Sequence, residues 1–236
     1  MLYDTHCHIL PGIDDGSADV SMSEKMLDLQ KKSGVDRIIA TPHFYLSEQS
    51  IDSFIDRRTE AFEKILPAVR ARKIDLICGA EVLYTESLAD EDLSRLCIQG
   101  TCYMLTELPY IKLSGRFIKS FRSFVGSVFP DIRIILAHAE RYLNYTDADD
   151  IYEILESDIL VQLNSGSFKP FSPHTGFMYD LLRNDMAHFL GTDCHNSTTR
   201  PPNMPAAEKA ISRKISPDCF AYLMHNAEKL FNGKSI

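Results

Sequence analysis

The stretch IRIILAHAERY, residues 132 to 142, holds the reading on which the fold turns. Apart from Arg133, Ile132 to Ala137 has no polar position, so a strand formed here must be covered on both faces. The apolar run then stops at His138, followed by the polar pair Glu140 and Arg141. A strand buried on both sides belongs in a parallel sheet with helices packed over it. Its polar end belongs where such sheets gather their ligands, at the C-terminal edge.

The same pattern appears in MLYDTH, VDRIIATPH, IDLICGAE, CYMLTE, DILVQLN and MAHFLGTD, giving seven predicted strands in all. Helical patterns fill the gaps. Ser21 and Glu24 have capping-box spacing, Met22, Met26 and Leu29 then share a face, and Gly34 ends the segment. Residues 51–72, 115–129, 148–157, 175–184 and 203–213 read as helices too, with Pro67 expected to kink or end the first of these. No linker or repeat divides the chain, so a single domain over residues 1–236 is expected. Alternating βα units fit either an open sheet or a closed barrel. The predicted strands end at His6 and His8, His43, Glu81, Glu107, His138, Asn164, and Asp193 with His195. An open sheet draws its ligands from a few strands, whereas a barrel brings every strand end to one mouth. The expectation is an α/β fold, a (β/α)7 barrel of parallel strands with a metal site at the C-terminal mouth.

Composition narrows the function. The 236 residues are 44% hydrophobic and 25% charged, as in an ordinary globular protein. A net charge of −8 argues against general attraction to nucleic acid or anionic membranes. No apolar run is long enough for membrane insertion, and MLYDTHCHILPG does not read as a signal peptide. Six scattered cysteines without a CxxC pair do not form a disulfide framework, so the expected location is the cytoplasm.

DTHCH sets His6 and His8 on one side of an extended strand, because side chains alternate with a period of two. Asp193 and His195 have the same relation at the other end of the chain. His43, His138, Glu81 and Glu107 each follow an apolar strand, where a buried carboxylate costs several kcal/mol unless a cation or hydrogen bonds offset it. In PGIDDGS, Asp14 and Asp15 either form a turn or contribute a ligand. An all-nitrogen and oxygen set suits zinc, manganese, iron or magnesium. Its size suits two or three divalent ions, with Glu81 bridging a pair roughly 3.5–4 Å apart. His174, His188 and His225 read as structural or surface residues. Arg141 and Arg200 stand beside the mouth, where guanidinium geometry fits phosphate, so phosphate-ester hydrolysis is the expected chemistry.

These motifs resemble the PHP (polymerase and histidinol phosphatase) superfamily. Within it the likeness is to the bacterial manganese-dependent protein-tyrosine phosphatases that act on capsule and exopolysaccharide autokinases. DTHCHILPGIDDGS, IIATPHFY, GAEVLY, TELPY, LAHAERY, QLNSGSF, GTDCHN and RPP carry the resemblance nearly from end to end. It implies a distorted seven-stranded barrel with three metal ions per chain, manganese foremost. His6, His8, Glu81 and Asp193 would hold one ion, and Glu81, Glu107 and His138 a second. Asp15, His43 and His195 would hold the third, with Asp14 in reserve. Arg141 and Arg200 match the phosphate-contacting arginines. The implied partner is a phosphotyrosine-bearing protein, a bacterial tyrosine autokinase.

Cys194 and Arg200 also have the spacing of a cysteine-phosphatase loop. That loop, however, uses free backbone N–H groups and runs directly into a helix, while this one lacks glycine and ends in Pro201 and Pro202. A deoxyribonuclease of the TatD type also begins like DTHCH, but Asp193-x-His195 departs from its pattern. A silent, metal-stabilised PHP binding module is the remaining alternative.

Overall fold

The computed structural model describes residues 1–169 and 172–236. In chain order it runs β1 (Leu2–Cys7), α1 (Val20–Lys32), β2 (Val35–Ala40), β3 (His43–Phe44), α2 (Ile51–Ala71), β4 (Asp75–Cys78) and β5 (Glu81–Leu83). It continues with β6 (Tyr103–Glu107), α3 (Gly115–Val128), β7 (Arg133–Leu136), α4 (Ala148–Leu155) and β8 (Leu160–Asn164). Last come α5 (Thr175–Arg183), β9 (Phe189–Gly191), α6 (Met204–Lys214) and α7 (Pro217–Phe231).

All strand pairs are parallel, in the orders β1-β2-β4 and β3-β5-β6-β7-β8-β9. Two of the predicted strands are each broken in two. VDRIIATPH breaks at Thr41-Pro42, where proline has no N–H for a ladder, and IDLICGAE breaks at Gly79-Ala80. The breaks lie side by side: Gly79 N donates to Ala40 O (2.8 Å) and Glu81 N to Pro42 O (2.9 Å). The two broken strands therefore bend together, and each remains one stave. The ring closes where β9 meets β1. His8 N donates to Cys194 O (3.0 Å), and Asp193 N donates to His6 O (2.8 Å). This is the curled parallel sheet expected from the strand pattern.

The period of two sorts each strand into an inner and an outer face. Ile39, Tyr103, Leu105, Ile135, Ala137, Leu160 and Phe189 form one inner cluster, and Leu230 of α7 joins it at the base. Glu107 lies on the same face of β6 as Tyr103 and Leu105, so it crowns that cluster at the mouth. The outer faces pack beneath the helices in a larger, separate core.

Two local expectations change. The N-cap of α1 is Asp19, whose side chain accepts from Met22 N (2.8 Å), so Ser21 lies inside the helix and forms no capping box. Pro67 neither ends nor interrupts α2. It sits on the exposed side, as does Glu63, whose carbonyl it deprives of a partner and leaves to water. No helix among the described residues is long and apolar enough to cross a membrane.

Gly191 allows the closure. A Cβ there would collide with His6 Cβ and lie 2.9 Å from Gln162 Nε2 and 3.1 Å from His6 N. Gly191→Ala is expected to destabilise the metal-free protein by about 1–3 kcal/mol, the usual range for overpacking. Thermal unfolding beside Gly115→Ala, where nothing lies within 4 Å of the added methyl, checks this. Equal melting temperatures would show that β9 can move away from β1 at no cost.

Candidate metal centre

His6 and His8 point from β1 into the mouth, fully buried, with their Nε2 atoms 3.0 Å apart. What lies behind each ring sets the tautomer of its neutral form. His6 Nδ1 meets Gln162 Oε1 at 3.1 Å, and His8 Nδ1 meets Asp14 Oδ2 at 2.7 Å. Each Nδ1–H therefore donates outward, and each Nε2 turns a lone pair inward. Glu81 Oε2 faces the same point, 3.1 Å from His6 Nε2 and 3.0 Å from His8 Nε2. Asp193 Oδ1 is next, 3.6 and 3.5 Å away. Four ligand atoms converge there, and without a cation the carboxylates draw protons onto the His6 and His8 rings in spite of their burial. That chemistry calls for a cation.

A second convergence surrounds His195. Its Nδ1 lies 3.0 Å from Asp193 O, while its buried Nε2 has no hydrogen-bond partner and faces Asp15 Oδ1 at 3.3 Å. His43 Nε2 is 3.5 Å from the same oxygen. On its other side, His43 Nδ1 lies 3.2 Å from both Glu81 Oε2 and Glu107 Oε1, again without a hydrogen bond. His138 Nε2 contacts Glu81 Oε1 at 2.7 Å and stands 3.9 Å from Glu107 Oε2. Ligand-type atoms thus fall into mutually close groups: His6, His8, Glu81 and Asp193; His8, Asp15, His43 and His195; His43, Glu81 and Glu107. All nine residues that the sequence singled out share one mouth, with Glu81 at its centre and His43 between two groups.

The adjacent acids separate by position. Asp14 is nearly buried, accepts from Gly16 N and His43 N (both 3.0 Å), and serves as the outer partner of His8. Asp15 is exposed and reaches inward to His43 and His195. Burial alone would raise the pKa of both Glu81 and Asp193. In the metal-free protein the protonated His6 ring outweighs it at both, joined by His43 at Glu81 and by Arg141 at Asp193, and holds both carboxyls well below their ordinary range.

Asp193 also anchors two cations. Its Oδ2 accepts from Arg141 Nη2, from Arg200 Nη2 (2.8 Å) and from Asn164 Nδ2 (2.8 Å). Arg141 Nη1 donates to the Tyr110 hydroxyl at 2.8 Å. Both guanidiniums line a cleft of about 190 Å³ with Asn164, Ser167, Thr199 and Asn203. The backbone of Asp193 is left-handed (φ 50°), as is that of His138 (φ 33°). Strain of about 1–3 kcal/mol per residue is typical of functional sites and must be offset by the surrounding contacts.

The cysteine-phosphatase reading fails on geometry. Cys194 Sγ is buried, 3.2 Å from Cys7 Sγ and turned away from the mouth. The N–H groups of Thr198, Thr199 and Arg200, which such a loop would offer to phosphate, all donate to Asn196 Oδ1 (3.0, 2.7 and 3.1 Å). Of the remaining histidines, His188 Nδ1 accepts from Val161 N at 3.1 Å, His174 bonds Asn144 Oδ1 at 2.8 Å, and His225 is exposed.

Sequence reasoning missed Gln162 and Glu140. Gln162 Oε1 meets both His6 Nδ1 and the His138 N–H; its one signal was a polar residue inside an apolar strand. Glu140 is fully buried and accepts from Asn164 N (3.2 Å) and Ser167 Oγ (2.7 Å), which ties down one wall of the cleft. Burial pushes its pKa above the ordinary carboxyl value. Tyr110 was also missed, because nothing in TELPY distinguishes a tyrosine that supports arginine from one in the core.

A family model described as capsular polysaccharide synthesis, CpsB/CapC, matches residues 2–232. The chain is 26% identical over 249 residues to tyrosine-protein phosphatase YwqE of Bacillus subtilis (strain 168), covering 100% of this chain and 93% of that one. It is 28% identical over 231 residues to tyrosine-protein phosphatase CpsB of Streptococcus pneumoniae, covering 90% of each. A structure described among the crystal structures of YwqE and CpsB, "unique metal-dependent tyrosine phosphatases", matches with a TM-score of 0.83 at 23% identity, over 100% of this chain and 96% of that one. A chain of an archaeal ribonuclease P complex shares the fold at a TM-score of 0.60 and 14% identity.

The facing lone pairs predict that Mn²⁺ stabilises the protein, by about 2.7 kcal/mol at a hundredfold excess over Kd, and that a chelator reverses it. Asp14→Ala, which removes the outer partner of His8, is expected to weaken metal affinity by about 10- to 100-fold. Calorimetric titration of both proteins with Mn²⁺ measures this. Unchanged affinity in Asp14→Ala would mean that His8 needs no orienting partner.

Proposed function

The chain belongs to the CpsB/CapC family of capsular polysaccharide synthesis proteins, and from that premise we propose that it is a metal-dependent phosphatase of protein phosphotyrosine. The observation that carries the reading is the Asp193 carboxylate. One oxygen faces the histidine cluster and the other anchors Arg141 and Arg200, so cations for a phosphate stand directly beside ligands for a metal. In this reading His6, His8, Glu81 and Asp193 hold one divalent ion. Glu81, Glu107 and His138 hold a second, and Asp15, His43 and His195 a third. The donor set accepts manganese, iron, zinc or magnesium, and manganese is the ion we assign. Because the ligands come from both ends of the chain, we read residues 1–236 as one PHP-type metallophosphatase domain.

When bound, the ions supply Lewis acidity, which readies water for attack and offsets charge on the phosphoryl oxygens. The protein's own groups do the rest. Arg141 and Arg200 bind the non-bridging oxygens with N–H groups not engaged by Asp193, and Asp193 and Tyr110 hold Arg141 in position. The Tyr110 ring, 5.3 Å from that of Tyr145, forms an aromatic wall beside Arg141 against which a phenyl ring can pack. That wall favours an aryl ester over a phosphoserine. The partner we assign is a bacterial tyrosine autokinase of the capsule or exopolysaccharide system, which fits the family and the names of the relatives. The Cys7 and Cys194 thiols stand directly behind the ligands, which suits a reducing cytoplasm.

Arg141→Ala and Arg200→Ala should each lower kcat/KM for an aryl phosphate by about 10- to 150-fold, from roughly 1.5–3 kcal/mol per charge-assisted bond. Lysine at either position should recover only part, since a point charge cannot reproduce the fork. Wild-type rates in both alanine variants would place the phosphate elsewhere.

A comparison within one loop tests the metal mechanism itself. Cys194→Ser should retain most activity, whereas Asp193→Ala should lose nearly all of it along with its metal. The opposite ranking, with Cys194→Ser inactive and binding substrate without turnover, would require a cysteine nucleophile. Steady-state kinetics and metal analysis of the two variants decide between them.

A further inference from the structure

The chain has a net charge of −8, yet among the described residues every charged side chain that lines one groove beside the cleft is a cation. It lies between α5 and α6, has a volume of about 640 Å³, and is bordered by Lys169, Lys209, Arg213 and Lys214, with Phe168 and Ala210 as apolar floor. All four cations are exposed, and among the described residues no acidic residue lines the groove and none of the four pairs with a carboxylate.

Local helix chemistry accounts for only part of this. Arg213 and Lys214 lie in the last turn of α6, where positive charge complements the helix dipole. Lys209 lies outside that turn. It stands four residues before Arg213, a spacing at which like charges disfavour the helix. The groove also abuts the phosphate cleft. Lys169 lines both, and Asn203 in the cleft is one turn from Ala206 in the groove. A chain whose phosphorylated side chain enters the cleft has this groove as a path for the residues beside it.

We infer that the groove docks an acidic segment flanking the phosphotyrosine, so that the preferred substrate is a phosphotyrosine with Asp and Glu neighbours. The inference rests on the phosphotyrosine reading above. Long cationic side chains over a small apolar floor suit a peptide held by charge and by the stems of its side chains. Such contacts are screened by salt, so the preference should shrink as ionic strength rises.

The test uses two phosphotyrosine peptides of equal length, one with Asp and Glu on both sides and its twin with Asn and Gln, beside a small aryl phosphate. With Mn²⁺-loaded wild type, the acidic peptide should have a kcat/KM about 10-fold above its twin, mostly through KM, as expected for several exposed ion pairs. The charge-reversed variant Lys209→Glu/Arg213→Glu/Lys214→Glu should lose that preference and leave aryl phosphate hydrolysis unchanged. Fluorescence anisotropy of the labelled acidic peptide gives a readout that needs no turnover and should show the same difference in Kd. Equal kcat/KM and Kd for the two peptides with wild type would overturn the inference, as would a preference that survives charge reversal. Failure of the phosphatase reading would look different: wild type would leave the aryl phosphate intact while anisotropy still reported whether the acidic peptide binds.

Discussion

Closing β9 onto β1 is the constraint on which the rest depends. Two backbone hydrogen bonds, His8 N to Cys194 O and Asp193 N to His6 O, join residues nearly two hundred positions apart. They bring His6, His8, Asp193 and His195 to one point from opposite ends of the chain. Behind the seam lies a clasp on Asp4, a fully buried carboxylate. It accepts from Thr192 N (2.7 Å), Thr192 Oγ1 (2.5 Å), Gln30 Nε2 and His6 N (3.3 Å). Burial raises its pKa, and those four donors oppose the rise. The clasp ties β1, β9 and α1 together one layer below the ligands, so a site made from distant segments has a rigid base.

The mouth above that base works against folding. Glu81, Glu107 and Asp193 are carboxylates at most 3% exposed, and the imidazoles around them turn lone pairs toward one another. Without a cation such a layer is held by shared protons at best, and each unpaired charge would cost several kcal/mol. The left-handed backbone at His138 and Asp193 adds strain at the same level of the barrel. An apolar inner cluster from Ile39 to Phe189, with Leu230 at its base, offsets these costs. Stability is concentrated at the bottom of the barrel and chemistry at its top.

How much of this the sequence revealed follows from range. Alternation along one strand is local, so His6 with His8 and Asp193 with His195 were legible. The apolar strands and their polar ends were legible for the same reason. What failed depended on contacts between segments. Asp14 and Asp15 are neighbours in one turn, and only the positions of His8 and His195 show that the first backs a ring while the second faces the mouth. Gln162 is an ordinary polar residue until β8 sets it under His6 and His138. The breaks at Thr41-Pro42 and Gly79-Ala80 are each unremarkable alone and become a shared bend only when the strands pair. At α1 the miss was local. Two capping signals overlapped, and Asp19, one turn before Met22 N, won over Ser21.

Charge is distributed so that one carboxylate divides the site. On one side of Asp193 stand the histidines and acids that would hold cations, and on the other Arg141 and Arg200. Both arginines spend part of their donor capacity on that carboxylate, which fixes their forks and lowers the ordering cost of receiving a phosphate. From Arg200 the positive charge continues through Lys169 to the cationic face of α6. On a chain of net charge −8, that strip is a local exception to a surface that repels anions. An acidic segment of the kind inferred above would meet opposite charge along the strip, which ends at the arginine side of Asp193. In that inference the acidic bulk and the basic strip act together, the one disfavouring anions and the other setting the direction from which one is admitted.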